Sequence, residues 1–132
     1  MKKSSSHELI FVVQKHAATH LHFDFRLEMD GVLKSWAVPK EPSSEPDVKR
    51  LAIMVDDHDI AYASFQGVIS EGNYGAGKVE IWDKGTYDIE TRHDDKIVFF
   101  LHGKKLKGRY TLLKFSKAGE KNWLLFKTKD DS

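Results

Sequence analysis

Apolar and polar residues alternate with a period of two along much of this chain, most clearly in LHFDFRLEM, residues 21–29. Leu21, Phe23, Phe25 and Leu27 fall on one side, and His22, Asp24 and Arg26 on the other. A β-strand sends successive side chains to opposite faces, so the pattern predicts a strand with one greasy face and one chemically loaded face. Short apolar or alternating runs recur at Leu9–Val13, Val32–Val38, Leu51–Val55, Lys78–Trp82, Thr86–Thr91, Ile97–Leu101, Arg109–Phe115 and Trp123–Lys127. Met29-Asp30-Gly31 predicts a hairpin, because Asp-Gly supplies the positive φ of a tight two-residue turn. Asp83-Lys84-Gly85 predicts a second hairpin, and His102-Gly103, Lys107-Gly108, Ala118-Gly119 and Asn122 predict further turns. Pro39, Pro42 and Pro46 punctuate a Ser/Glu-rich surface loop. No segment sustains a 3.6-residue period beyond about two turns. Many short strands at ~8–12-residue spacing predict an all-β fold, with a small single-domain β-barrel preferred because closure removes exposed edges. The expected organisation is a frayed tail over residues 1–8 and one barrel domain over 9–128.

Composition narrows the chemistry. A length of 132 residues supports one real core. The net charge of +1, from 21 basic and 20 acidic residues, argues against a uniformly cationic nucleic-acid coat. The charge is uneven, however. Lys104, Lys105, Lys107 and Arg109 open a cationic C-terminal third, whereas Glu41–Asp59 leans acidic. The basic run fits a phosphate-backbone track and a solvated strand face equally well. The absence of cysteine excludes disulfides, thiolate metal sites and thiol nucleophiles. No apolar run approaches the ~20 residues of a membrane helix, and no apolar signal core follows the basic, Ser-rich start. These features predict a cytoplasmic protein with no membrane partner.

His16, His22 and Asp24 are metal-ligand types within nine residues, two of them on one strand face. A two-histidine, one-carboxylate set with open positions suits a catalytic metal better than a closed structural one, although spacing does not separate zinc from manganese. His20 adds an imidazole as a ligand, a supporting group or an exposed residue. Arg26, two residues past Asp24, is placed to hold an anion beside a metal. Together these point to metal-assisted phosphoryl chemistry. Asp56-Asp57-His58-Asp59 follows a predicted strand, and Tyr62 lies four residues after His58. His58 and Tyr62 could donate to phosphate oxygens, or form a solvated acidic turn and a core aromatic. The Gly-rich stretch Glu71–Gly77 lacks the Lys-Ser/Thr of a P-loop and predicts a tight turn or bulge. Lys40 and Arg50 flank the Pro-rich loop and each could reach an anion. Gln14 shares a face with His16 if the first strand runs that far.

QKHAATHLHFDFRLE, DGVLKSWAVPK, VKRLAIMVDDHDIAYASFQG, EGNYGAGKVEIWDKGTY, LHGKKLKGRYTLL and NWLLFK together resemble the 3′-phosphoesterase module of bacterial ligase D and its stand-alone archaeal and bacterial relatives. The resemblance runs from about Phe11 to Lys127 with its motifs in order. It implies a small β-barrel with an active-site groove that heals 3′ ends of DNA, or of DNA/RNA primer–templates, during double-strand break repair. Such enzymes remove a terminal ribonucleoside and then hydrolyse the remaining 3′-phosphate. The resemblance implies Mn2+, with Co2+ or Zn2+ as substitutes, bound by His16, His22 and Asp24. It implies Arg26, His58 and Tyr62 on the scissile phosphate, and Gln14, Lys40 and Arg50 at further substrate-binding positions. It also implies a DNA ligase/polymerase, Ku-type end-joining machinery and a nucleoid setting. Two features differ from ligase D modules. About eight residues precede the first strand, a shorter arm that would weaken the phosphomonoesterase step, and His20 stands where an arginine is expected. Two other readings stay open: a nucleic-acid-binding barrel with a structural or idle metal site, and a metal-dependent oxygenase acting on a small molecule.

Overall fold

The structure, a computed structural model, describes residues 7–73, 76–115 and 121–129. Nine strands run in chain order: β1 Leu9–Ala17, β2 Leu21–Met29, β3 Val32–Val38, β4 Arg50–His58, β5 Gly67–Ile69, β6 Gly77–His93, β7 Lys96–His102, β8 Lys107–Lys114 and β9 Asn122–Lys127. A short 3-10 helix, Ile60–Ser64, lies between β4 and β5. Antiparallel pairing runs β1-β2-β3-β4-β9-β8-β7-β6, and a β1–β6 ladder closes the ring into an eight-stranded barrel. Strand β5 adds to the start of β6 outside that ring. Closure leaves no long unpaired edge on the ring strands. No helix among the described residues is long and apolar enough to cross a membrane.

The period-two pattern decides what faces inward. Phe23, Phe25, Leu27 and Met29 of β2 join Phe11 and Val13 of β1, Trp36 of β3 and Phe99 of β7 in the core inside the ring. Phe25 meets Phe11, Trp36 and Phe99 at ring-centroid distances of 6.3, 6.4 and 5.9 Å. The intervening residues, His22, Asp24 and Arg26, therefore point outward. The predicted Asp30-Gly31 hairpin is present, with φ of 58° and 83° at its two residues.

One expected hairpin is absent. Asp83-Lys84-Gly85 lies within the unbroken 17-residue strand β6. Gly85 is needed for closeness rather than for turning: a Cβ there would sit 2.2 Å from the His102 carbonyl oxygen. Asp83 is a buried anchor, its carboxylate accepting from the backbone N–H groups of Lys104, Lys105 and Leu106 at 2.8–3.1 Å. Lys107-Gly108 likewise opens β8 instead of forming the turn, which falls at Gly103–Leu106. The Ala118-Gly119 turn and residues 1–6 of the expected tail lie outside the described residues, as do Tyr74 and Gly75 of the Gly-rich stretch.

Candidate active site

The outward face of β1–β3 is polar yet largely closed to solvent. Gln14, Arg26 and Ser35 are 0%, 3% and 0% exposed, which places them beneath a cover rather than on a free surface. The cover is the segment from Ile60 to Ile69. Gln14 fixes it by donating its side-chain amide to the carbonyls of Tyr62, at 2.9 Å, and Phe65, at 3.2 Å. Gln66 adds a second pin, its Oε1 accepting from the Ile81 backbone N–H at 2.9 Å. Between cover and barrel lies a cleft of about 500 Å³ lined by His16, His22, Asp24, Arg26, His58 and Tyr62, among others.

Register assembles the first cluster. His16 pairs with His22 across β1 and β2, and Gln14 pairs with Asp24. Side chains of directly opposed residues share a face, which brings both imidazoles to one carboxylate. His16 Nδ1 lies 3.7 Å from Asp24 Oδ2, and His22 Nε2 lies 3.4 Å from Asp24 Oδ1. One donor atom from each of the three residues falls within 4.8 Å of the others. His22 Nδ1 lies 3.0 Å from the His20 carbonyl, so the proton on Nδ1 is held there and the Nε2 lone pair faces the cluster. His20 therefore enters through its backbone, with its own side chain exposed on the β1–β2 connection. The donor set fits a divalent cation: two imidazole nitrogens and a carboxylate, partly enclosed, with room left on the cleft side. Burial works against the Asp24 charge, but the hydrogen bond with His22 and the Arg26 charge prevail and hold its pKa below the ordinary value. That bond needs a proton on Nε2 as well as Nδ1, so it forms with the protonated ring and raises the pKa of His22.

Arg26 joins this cluster to a second one. Its Nε donates to Gln14 Oε1 at 2.6 Å, its Nη1 donates to Ser35 Oγ at 2.8 Å, and its Nη2 lies 3.4 Å from Asp24 Oδ2. Nη1 also lies 3.1 Å from His58 Nδ1. The Asp56 carbonyl lies 3.3 Å from the same Nδ1, but the Arg26 contact is shorter and arginine is always a donor, so Nδ1 accepts and the neutral ring carries its proton on Nε2. Burial, and then the Arg26 charge, depress the pKa of His58, which keeps that neutral form. The Tyr62 ring lies against His58 at 4.7 Å and beneath the Arg26 guanidinium at 5.0 Å. Burial raises the pKa of Tyr62, so its phenol stays a donor.

A β-bulge aims His58. On β3, Leu33 and Ser35 are two residues apart, whereas their partners on β4, His58 and Val55, are three apart. The extra residue reverses the alternation, and His58 rather than Asp57 meets Arg26. Asp57 pairs instead with Lys34 at 3.2 Å.

Of the nine residues singled out from the sequence, six line the cleft: His16, His22, Asp24, Arg26, His58 and Tyr62. Gln14 sits behind Arg26, bonded to it and to the cover. Lys40 lies exposed beyond the end of β3 and is not among the cleft-lining residues. Arg50 opens β4 at the barrel mouth, its Nε donating to the Glu41 carbonyl at 2.8 Å. Sequence reasoning missed Ser35, although strand parity marks it, since Trp36 beside it faces the core.

The fold and the cleft define a small all-β barrel carrying a two-histidine, one-carboxylate cluster beside an arginine-centred pocket formed with His58 and Tyr62. Residues 14–114 match the family of the DNA ligase D 3′-phosphoesterase domain. The chain belongs to that family. It is 47% identical, over 98% of its length, to the multifunctional non-homologous end joining protein LigD of Pseudomonas aeruginosa. It is 49% identical, over 91% of its length, to the multifunctional non-homologous end joining DNA repair protein LigD of Mycobacterium tuberculosis. The chain spans 16% of the length of each of these relatives.

Proposed function

We propose that this domain heals 3′ ends at DNA breaks, removing a 3′-terminal ribonucleoside as a phosphodiesterase, with hydrolysis of the resulting 3′-phosphate as a weaker second step. The observation that carries this reading is the convergence of Arg26, His58 and Tyr62 on the cleft that also holds the His16, His22 and Asp24 donor set. His16, His22 and Asp24 would hold a divalent ion, with Mn2+ the favoured choice and Co2+ or Zn2+ as substitutes. When bound, the ion supplies Lewis-acid polarisation of a phosphoryl oxygen. Arg26 contributes a fixed positive charge where negative charge accumulates on the transferring phosphoryl group. Its orientation is set in advance by Gln14 and Ser35, so little reorganisation is needed on binding. His58 presents Nε2–H, and Tyr62 presents a phenolic O–H, to the remaining oxygens. A cleft open on one side admits a chain terminus, and a ribose 2′-hydroxyl gives a protein the means to tell a ribonucleotide end from a deoxy end. A DNA ligase/polymerase and Ku-type end-joining proteins are the proposed partners.

The test is incubation of a labelled DNA primer carrying one 3′-ribonucleotide, with and without Mn2+, resolving each product, for wild type and His22→Ala. Wild type should release the ribonucleoside and then the phosphate, only with metal. Equal cleavage by His22→Ala at unchanged fold would sink the assignment. Oligonucleotide binding without any cleavage would favour a binding barrel with an idle site.

A further inference from the structure

A second recess borders the cover on the side away from the catalytic cleft. Its volume is about 620 Å³, and it shares no lining residue with the cleft. Ala63 and Ser64, immediately after Tyr62, form part of its wall, so the 3-10 helix is a partition between the two. Its floor is apolar, with Ile10, Ile81 and Trp82 each partly buried, and its rim carries exposed Lys84, Lys104 and Lys105. The Lys105 ammonium lies 4.5 Å from the centre of the Trp82 ring, which also packs edge-on against Phe23 at 5.8 Å.

Trp82 stands at this wall because of a β-bulge. Val13 and Gln14 are adjacent on β1, but their β6 partners, Asp83 and Ile81, are separated by Trp82. The lysine loop is held as firmly, through the three backbone N–H groups that Asp83 accepts. Trp82 and Lys105 also line a neighbouring chamber of about 370 Å³ that holds Arg50, Glu41 and Glu45. The carboxylates there disfavour phosphates, which leaves the three-lysine rim as the phosphate side.

We propose that this recess binds single-stranded nucleic acid, with backbone phosphates on Lys84, Lys104 and Lys105 and a base stacked on Trp82. The inference rests on the 3′-end-healing reading and extends it, assigning the recess to nucleotides beyond the reacting end. An apolar floor with an aromatic ring and a cationic rim is the combination that single strands require. Asp83 also lines the recess, but its carboxylate is buried and taken up by three loop N–H groups, so the charge presented at the rim is that of the lysines. Stacking a base is worth ~1–3 kcal/mol, whereas an exposed lysine over a ring contributes ~0.5–1 kcal/mol. A base therefore displaces Lys105 from Trp82 and frees its ammonium for a phosphate.

The experiment measures binding of a short single-stranded DNA oligonucleotide at several salt concentrations by anisotropy and by tryptophan quenching. It uses wild type, the surface triple variant Lys84→Glu/Lys104→Glu/Lys105→Glu, and Trp82→Phe. Trp36 and Trp123 are buried, so quenching reports on Trp82. Wild type should show quenching, and Trp82→Phe should lose it. The triple variant should bind at least 10-fold more weakly, and its slope of log affinity against log salt should shrink by about 2, near 0.7 for each of three lysines. Cleavage of a small generic phosphodiester, which cannot span the partition, should be unchanged in both variants. Unaltered oligonucleotide affinity and salt slope in the triple variant would overturn the proposal, as would quenching that persists in Trp82→Phe. Groove-dependent binding without 3′-end cleavage would instead overturn the enzymatic reading and leave the groove standing.

Discussion

Arg26 is the side chain through which both halves of the cleft communicate. It touches Asp24 of the two-histidine, one-carboxylate cluster on one side, His58 on the other, and Gln14 and Ser35 behind. Lysine keeps the charge but not the planar fork, and it cannot satisfy Gln14 and Ser35 together. Arg26→Lys should therefore lose ~10²–10³-fold in cleavage rate, the scale of a removed electrostatic stabiliser. It should also lose ~1–3 kcal/mol of stability from partners left unsatisfied, checked by denaturant titration. An activity near wild type would show that charge alone suffices. His22 supports a separate expectation. Its hydrogen bond with Asp24 raises its pKa, so in the metal-free protein it holds its proton to a higher pH than an ordinary imidazole. Only the neutral ring ligates, so metal affinity should rise with pH through that raised pKa, and binding should release a proton below it. Calorimetry in buffers of different ionisation enthalpy measures that release. A flat affinity from about pH 6 to 8, the range that brackets the ordinary imidazole value, would contradict it.

Elements show where the sequence was legible and where it was not. The period-two code placed His22, Asp24 and Arg26 on one face, and Asp30-Gly31 announced its turn, because both signals are local. His16 joined them through cross-strand register, which no local pattern states. His58 was visible as a strand-end residue, but its direction depends on a bulge in β4 that has no glycine or other marker. Asp83-Lys84-Gly85 shows the reverse failure. Its residues read as a turn, yet tertiary demands placed them there: Asp83 for three loop N–H groups, and Gly85 for the close approach of β7. The two explanations of Gly85 differ in outcome. A turn glycine at an ordinary φ would tolerate alanine, whereas here a Cβ would sit 2.2 Å from the His102 carbonyl oxygen. Gly85→Ala should cost ~1–3 kcal/mol by overpacking the β6–β7 contact. A thermal melt within error of wild type would refute that account.

At the scale of the whole molecule, a rigid ring carries a thin cover, and the candidate site exists only where the two meet. The ring is closed by strand ladders around an aromatic core. The cover, Ile60–Ile69, has a five-residue 3-10 helix with no buried residue and a three-residue strand, so its own packing holds it weakly. What ties it down is polar: the short β5–β6 ladder at its end, Gln66 to β6, and the Gln14 amide to two carbonyls at its helical part. Regions with few buried apolar contacts open locally without global unfolding. Gln14→Ala removes one tie and one Arg26 partner at once. Hydrogen exchange should then quicken at the Tyr62 and Phe65 amides, which donate to the Asp59 and Tyr62 carbonyls, while the amides of β2 and β7 keep wild-type protection. Cleavage should fall mainly in kcat, since Tyr62 and Arg26 would sample more orientations while the His16, His22 and Asp24 donor set keeps its geometry. Metal affinity measured on the same variant should stay within a few-fold of wild type. Faster exchange spread evenly over the barrel would mean that Gln14 stabilises the fold as a whole, and the cover would not be a separate unit. Loss of metal affinity in proportion to activity would mean that Gln14 acts on the ligands, not on the phosphate pocket.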